Sequence, residues 1–80
     1  MIINYYAPGT SPLFRMWAAE ELTKEFPDAA LVAVHNCPPN ERCNVWIEGV
    51  VKAKRFNKIR RFARELRLRY IMRSSRVESS

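Results

Sequence analysis

Apolar and polar residues alternate along this chain with two different periods, and the switches between them mark its elements. The opening "MIINYY" is short and β-favouring, which predicts a first strand over residues 2–6. "APGTSP" breaks that strand with Pro8, Gly9 and Pro12. Ser11 then reads as a helix N-cap and Pro12 as the first helical position. The hydroxyl accepts an orphan amide hydrogen, and proline has none to orphan. Pro27 cannot continue a helix, so this one ends near Phe26. At about 100° per residue, Phe14, Ala18, Leu22 and Phe26 line one face, with Ala19 beside them. Leu13 and Trp17 fall off that face.

"ALVAVHNC" (30–37) and "CNVWIEGV" (43–50) have the β-branched content of strands, and "PPNER" between them predicts a hairpin. Side chains alternate along a strand. Val32 and Val34 therefore share the core side with Val45 and Ile47. The outer face collects Ala33, His35, Asn44, Trp46 and Glu48. One parity of the first strand joins them, with Tyr5 assigned to that face and Tyr6 the other choice.

From about residue 54 to 72 the period becomes helical. Phe56, Ile59, Phe62, Ala63, Leu66 and Tyr70 fall within about 120° of one another on a 3.6-residue wheel. The polar "SSRVESS" that follows predicts a flexible tail over 74–80, after one domain spanning 1–73. The order β-α-β-β-α predicts an α+β fold: a two-layer sandwich, its three-stranded sheet covered by both helices on one face.

Charge changes the picture. The net value of +6 over 80 residues conceals a split. Residues 1–49 hold three bases against six acids, whereas 50–80 hold eleven against Glu65 and Glu78. Within 50–73 there are seven Arg, three Lys and one acid. Lys54 and Arg55 stand at the helix start, where the backbone dipole disfavours cations. Helix formation does not account for them. Arg forms planar bidentate contacts with phosphate or carboxylate. Lys54, Lys58, Arg60, Arg61, Arg64 and Arg67 are accordingly the candidate contacts for an anionic partner.

Other chemistry finds less support. No apolar run approaches the roughly 20 residues that span a bilayer, and the apolar stripe of the last helix is needed by the sheet rather than by lipid. No secretory signal opens the chain, which predicts a cytoplasmic location. His35, Cys37 and Cys43 can each ligate metal, but structural zinc takes four ligands, commonly with tighter cysteine spacing. The two cysteines fall on opposite parities and read as free thiols in a reducing compartment. His35 is the only histidine, and no nucleophile, paired carboxylate or glycine-rich phosphate loop accompanies it. A non-enzymatic protein, with no cofactor, metal or small-molecule substrate, is expected.

Trp17, Trp46 and Tyr5 are candidate interface anchors. Exposed aromatics stack unpaired bases in RNA-binding sheets and anchor protein interfaces equally well. Glu48 beside Trp46, and Glu20 and Glu21 near Trp17, weigh against a phosphate backbone at those points. Two functions fit. The first is a small regulator binding nucleic acid or a nucleoprotein machine, such as a transcription complex, through the basic helix. The second is an inhibitor or modulator of the phage-encoded kind, docked on an acidic patch of a large enzyme such as RNA polymerase or a defence nuclease complex. A monomer is the default for either.

Overall fold

A computed structural model describes the backbone of residues 1–79 and the side chains of residues 1–72. Strand β1 (Ile2–Pro8) leads into helix α1 (Pro12–Glu25), strands β2 (Leu31–Cys37) and β3 (Asn44–Glu48), and helix α2 (Ala53–Ser79). The elements form the expected α+β architecture, a three-stranded sheet covered on one face by both helices.

The sheet order is β2-β1-β3. β1 lies parallel to β2, with Ile2 opposite Leu31 and Pro8 opposite Cys37. It lies antiparallel to β3, with Ile2 opposite Glu48 and Tyr6 opposite Asn44. The hairpin predicted between β2 and β3 therefore does not form. The chain leaves β2, crosses the end of β1 and returns along its far side. Gly9 N–H donates to the Cys37 carbonyl at 3.2 Å, and Pro39 packs over Gly9. The physical reason is burial. β1 carries no charged residue, and Ile3, Tyr5 and Ala7 are all fully buried beneath the helices. The most deeply buried strand thus takes the middle of the sheet, while β2 has no fully buried residue, and the proline-containing loop between β2 and β3 is not a tight hairpin turn.

Register sorts the faces. Tyr5 sits between Val34 and Val45 on the core side, whereas Asn4 pairs with Ala33 and Trp46 on the outer side. The assignment of Tyr5 to the outer face is thus corrected. Tyr5 is fully buried and Tyr6 takes the outer position, half-exposed. The outer-face reading of Ala33, His35, Asn44, Trp46 and Glu48 holds.

α1 begins as its sequence predicts. Phe14 N–H donates to Ser11 Oγ at 3.2 Å, and Phe26 closes the helix by donating to the Leu22 carbonyl. Phe14, Ala18, Leu22 and Phe26 meet Ile59, Ala63 and Leu66 of α2 in the core. Two aromatic joints lock the helices. Phe26 meets Phe62 edge-on at 5.6 Å, and Phe14 meets Tyr70 edge-on at 5.1 Å. The start of one helix thus lies against the later half of the other, an antiparallel pair.

α2 passes its expected end near residue 72 and reaches Ser79. The tail expected over 74–80 falls outside the residues whose side chains are described. At 27 residues α2 is about 40 Å long, while the seven-residue β1 spans about 23 Å. The helix therefore outruns the sheet. Gly49 makes the turn from β3 towards α2 at φ +113°, a conformation that side chains with a Cβ rarely adopt.

Candidate functional site

α2 commits its apolar stripe to the core, and the wheel then fixes where its cations go. One flank faces α1. There Arg55 forms an ion pair with Asp28 and lies over the Phe26 ring, 5.5 Å from its centroid. On the same flank Arg69 lies 3.9 Å from Glu65 and over the Phe62 ring. These two cations are occupied by the domain's own groups.

The remaining cations behave differently. Lys54, Lys58, Arg60, Arg61 and Arg64 are exposed, and among the described residues no carboxylate pairs with any of them. From Lys54 to Arg64 they follow about 15 Å of helix axis. Arg67 departs from this group. It is half-buried, and its Nη2 donates to the Pro8 carbonyl at 3.0 Å. Arg67 is thus tied into the fold, pinning α2 to the end of β1.

Two depressions border α2. The larger, about 390 Å³, is an open apolar groove whose walls include Trp46, Ile47, Val51, Ala53, Phe56 and Asn57. The smaller, about 190 Å³, is lined by Asn57, Arg60, Arg61 and Arg64 alone. Asn57 borders both. A mostly apolar groove beside β3 and a pocket of three arginines on α2 thus have one amide residue in common. β3 is an edge strand, so its outer rim of backbone groups also borders the groove.

The candidate anchors separate. Trp46 is 61% exposed on the outer face of the edge strand and is one of the residues that border the groove. Trp17 is half-buried against the core, its ring 6.1 Å from Phe14 and 5.9 Å from Tyr70. Its indole serves the joint between helices more than a free surface. Tyr5 is inside, where its hydroxyl accepts a hydrogen bond from Cys43 Sγ at 3.2 Å. Burial, with the Cys43 thiol second, pushes the Tyr5 hydroxyl well above its ordinary pKa.

On the outer face His35 stacks against Tyr6, ring centroids 4.7 Å apart at 18°, and shares a 3.0 Å hydrogen bond with Asn4. Among the described residues no three His, Cys, Asp or Glu side chains gather as metal ligands. Both cysteines are free thiols. Partial burial, with Glu41 nearby, pushes the Cys37 thiol pKa up, which disfavours its reactive thiolate. No helix among the described residues is long and apolar enough to cross a membrane.

Sequence reasoning placed the cations but missed the groove. Phe56 counted only as core and Asn57 only as a possible cap, because the wheel shows a helix without its neighbour. The exposed Leu68, Ile71 and Met72 also escaped notice. Their signal is apolar residues on the wrong side of the wheel.

No family model, curated protein or solved structure matches the chain.

Proposed function

We propose that this protein is a non-enzymatic nucleic-acid-binding regulator that lays a phosphate backbone along α2. One observation carries the reading: five exposed cations on the outward side of α2, none paired with a carboxylate among the described residues, and three of them lining one pocket. One strand of a duplex presents a phosphate about every 3.4 Å of axis, so about 15 Å of helix faces four or five of them. The start of α2 strengthens the field. Its first turn has no acidic residue, and Lys52 and Lys54 add to the positive end of the helix dipole. Such a site supplies affinity through counterion release, with base readout a separate matter. In this reading the protein works in the cytoplasm, where its thiols stay reduced.

The test is charge reversal. Arg60→Glu with Arg64→Glu should abolish binding to labelled oligonucleotides by fluorescence anisotropy, while far-UV circular dichroism stays unchanged. Equal affinity in the doubly reversed protein would clear α2 of the role.

A second reading rests on Leu68, Ile71 and Met72, which are apolar and exposed on the same helix. Together with the cations they suit an acidic protein surface, and the protein would then modulate a large enzyme by docking on it. Pull-down from lysate separates the two. Partners that survive nuclease treatment favour protein docking, and partners lost with the nucleic acid favour the first reading.

A further inference from the structure

The wheel of α2 has a third region besides its core stripe and its flank against α1. Ile59, Ala63 and Leu66 face inward. Opposite them stand Asn57, Arg61 and Leu68, within about 40° of one another. Arg60 and Arg64 lie to one side of this outward line, and Lys54 and Lys58 lie to the other. All of these outward side chains are exposed, and Asn57, Arg60, Arg61 and Arg64 line one pocket. The arrangement is ordered: an amide and a guanidinium in the middle, two cations along each margin.

An α-helix with its side chains is about 10–12 Å across, and the major groove of DNA is about 12 Å wide. Cations on both margins of such a rod meet the two phosphate backbones that wall the groove, while its central line meets base edges. The central residues are the types that base edges select. Asparagine pairs through both amide atoms with adenine N6 and N7, and arginine pairs likewise with guanine O6 and N7. Leu68, exposed on the same line, supplies the apolar contact that suits a thymine methyl. Among the described side chains of α2 no exposed residue is aromatic, so unpaired bases have nothing to stack on there. Duplex RNA has a deep, narrow major groove that side chains do not read.

We infer that α2 enters the major groove of duplex DNA, with Asn57 reading an adenine and Arg61 a neighbouring guanine. The inference rests on the proposed function, because the marginal cations hold the backbones, and it adds sequence readout. The frame suits that role. Arg67 ties α2 to the end of β1, and two aromatic joints fix it against α1, so the reading side chains project from a braced rod.

The experiment selects duplexes from a randomised pool, then compares a selected with a scrambled duplex by fluorescence anisotropy. The wild-type protein should enrich a motif holding an adenine and a guanine within about three base pairs. It should bind the selected duplex on the order of tenfold or more tightly. Asn57→Ala should cut that preference on the order of tenfold, the worth of one bidentate pair, and Arg61→Ala should do the same at the guanine. Lys54→Ala should weaken both duplexes by the same factor, as loss of a phosphate contact does. Replacing the adenine and guanine by 7-deaza analogues removes their N7 acceptors and keeps every phosphate, so affinity should fall towards the scrambled level. Asn57 and Arg61 are exposed and alanine favours helix, so neither change threatens the fold, and circular dichroism verifies it.

Salt-dependent duplex binding with no enriched motif would overturn the readout while the role of α2 stood. A motif indifferent to 7-deaza bases, or to both Asn57→Ala and Arg61→Ala, would do the same. Tighter binding of a single strand or an RNA duplex than of the selected DNA would also overturn it. Failure of the wild-type protein to bind any oligonucleotide would bring down both proposals. Binding of a labelled poly-glutamate peptide with no oligonucleotide bound would overturn the inference in favour of an acidic protein ligand.

Discussion

The Arg67 guanidinium donates to the Pro8 carbonyl across 59 residues of chain, joining α2 to the last residue of β1. A hydrogen bond to a charged donor contributes about 1.5–3 kcal/mol. The aliphatic stem of Arg67 also covers the core margin. Arg67→Ala should therefore lower the melting temperature by about 5–20 °C in a domain of this size. Arg64→Ala, one turn away and exposed, should move it by no more than a degree or two. Calorimetry on the two variants checks the contrast. Equal effects would show Arg67 to be a surface cation like the rest.

Cys43 gives the buried Tyr5 hydroxyl its hydrogen-bond partner. Removing one member of such a pair leaves a polar atom stranded, at a cost of about 1–3 kcal/mol. Cys43→Ala should destabilise by that amount in urea titration, and Cys43→Ser should recover most of it. Equal stability of all three proteins would mean that water reaches the hydroxyl.

Tyr5 also predicts a pH dependence. Its hydroxyl titrates near pH 10 in the unfolded chain and higher in the folded one. Above about pH 10 the unfolded state releases a proton that the folded state retains, so stability falls as pH rises. Below that value Tyr5 is neutral in both states and contributes no slope. Tyr5→Phe should flatten the alkaline limb of a stability–pH curve relative to the parent protein. An unchanged limb would locate the titration elsewhere.

Glu48 stands exposed on the outer face two residues from Trp46, the one carboxylate in β3. Glu48→Gln should tighten oligonucleotide binding about twofold at low salt, an effect of one screened charge. If four or five phosphates are neutralised, the duplex affinity should fall with salt at a log–log slope of about −4. Arg60→Ala with Arg64→Ala should reduce that slope by about 1.8. A slope unchanged by the double substitution would place the phosphates away from the arginine pocket.

The elements were legible because each rests on a local rule. Ser11 and Pro12 mark the start of α1, Pro27 its end, and the spacing of Ile59, Ala63 and Leu66 fixes the inner side of α2. Neighbour relations were not legible. Nothing in the spelling of β2 and β3 says that β1 comes between them, since that choice is set by how deeply Ile3, Tyr5 and Ala7 are buried. Tyr5 and Tyr6 are identical side by side, and one step of register decides which is interior. The cations of α2 were visible as a count. Only folding distinguishes Arg67, Arg55 and Arg69, which the domain employs itself, from Arg60, Arg61 and Arg64.

The middle strand of the sheet leaves the ribosome ahead of both strands that flank it. Ile2 must wait for Glu48 before its antiparallel partner exists at all, and until then Ile3, Tyr5 and Ala7 have nothing on that side to shield them. Assembly cannot keep pace with synthesis, and such distant pairings slow the search. The nascent chain spends that interval with three core residues of its future central strand uncovered.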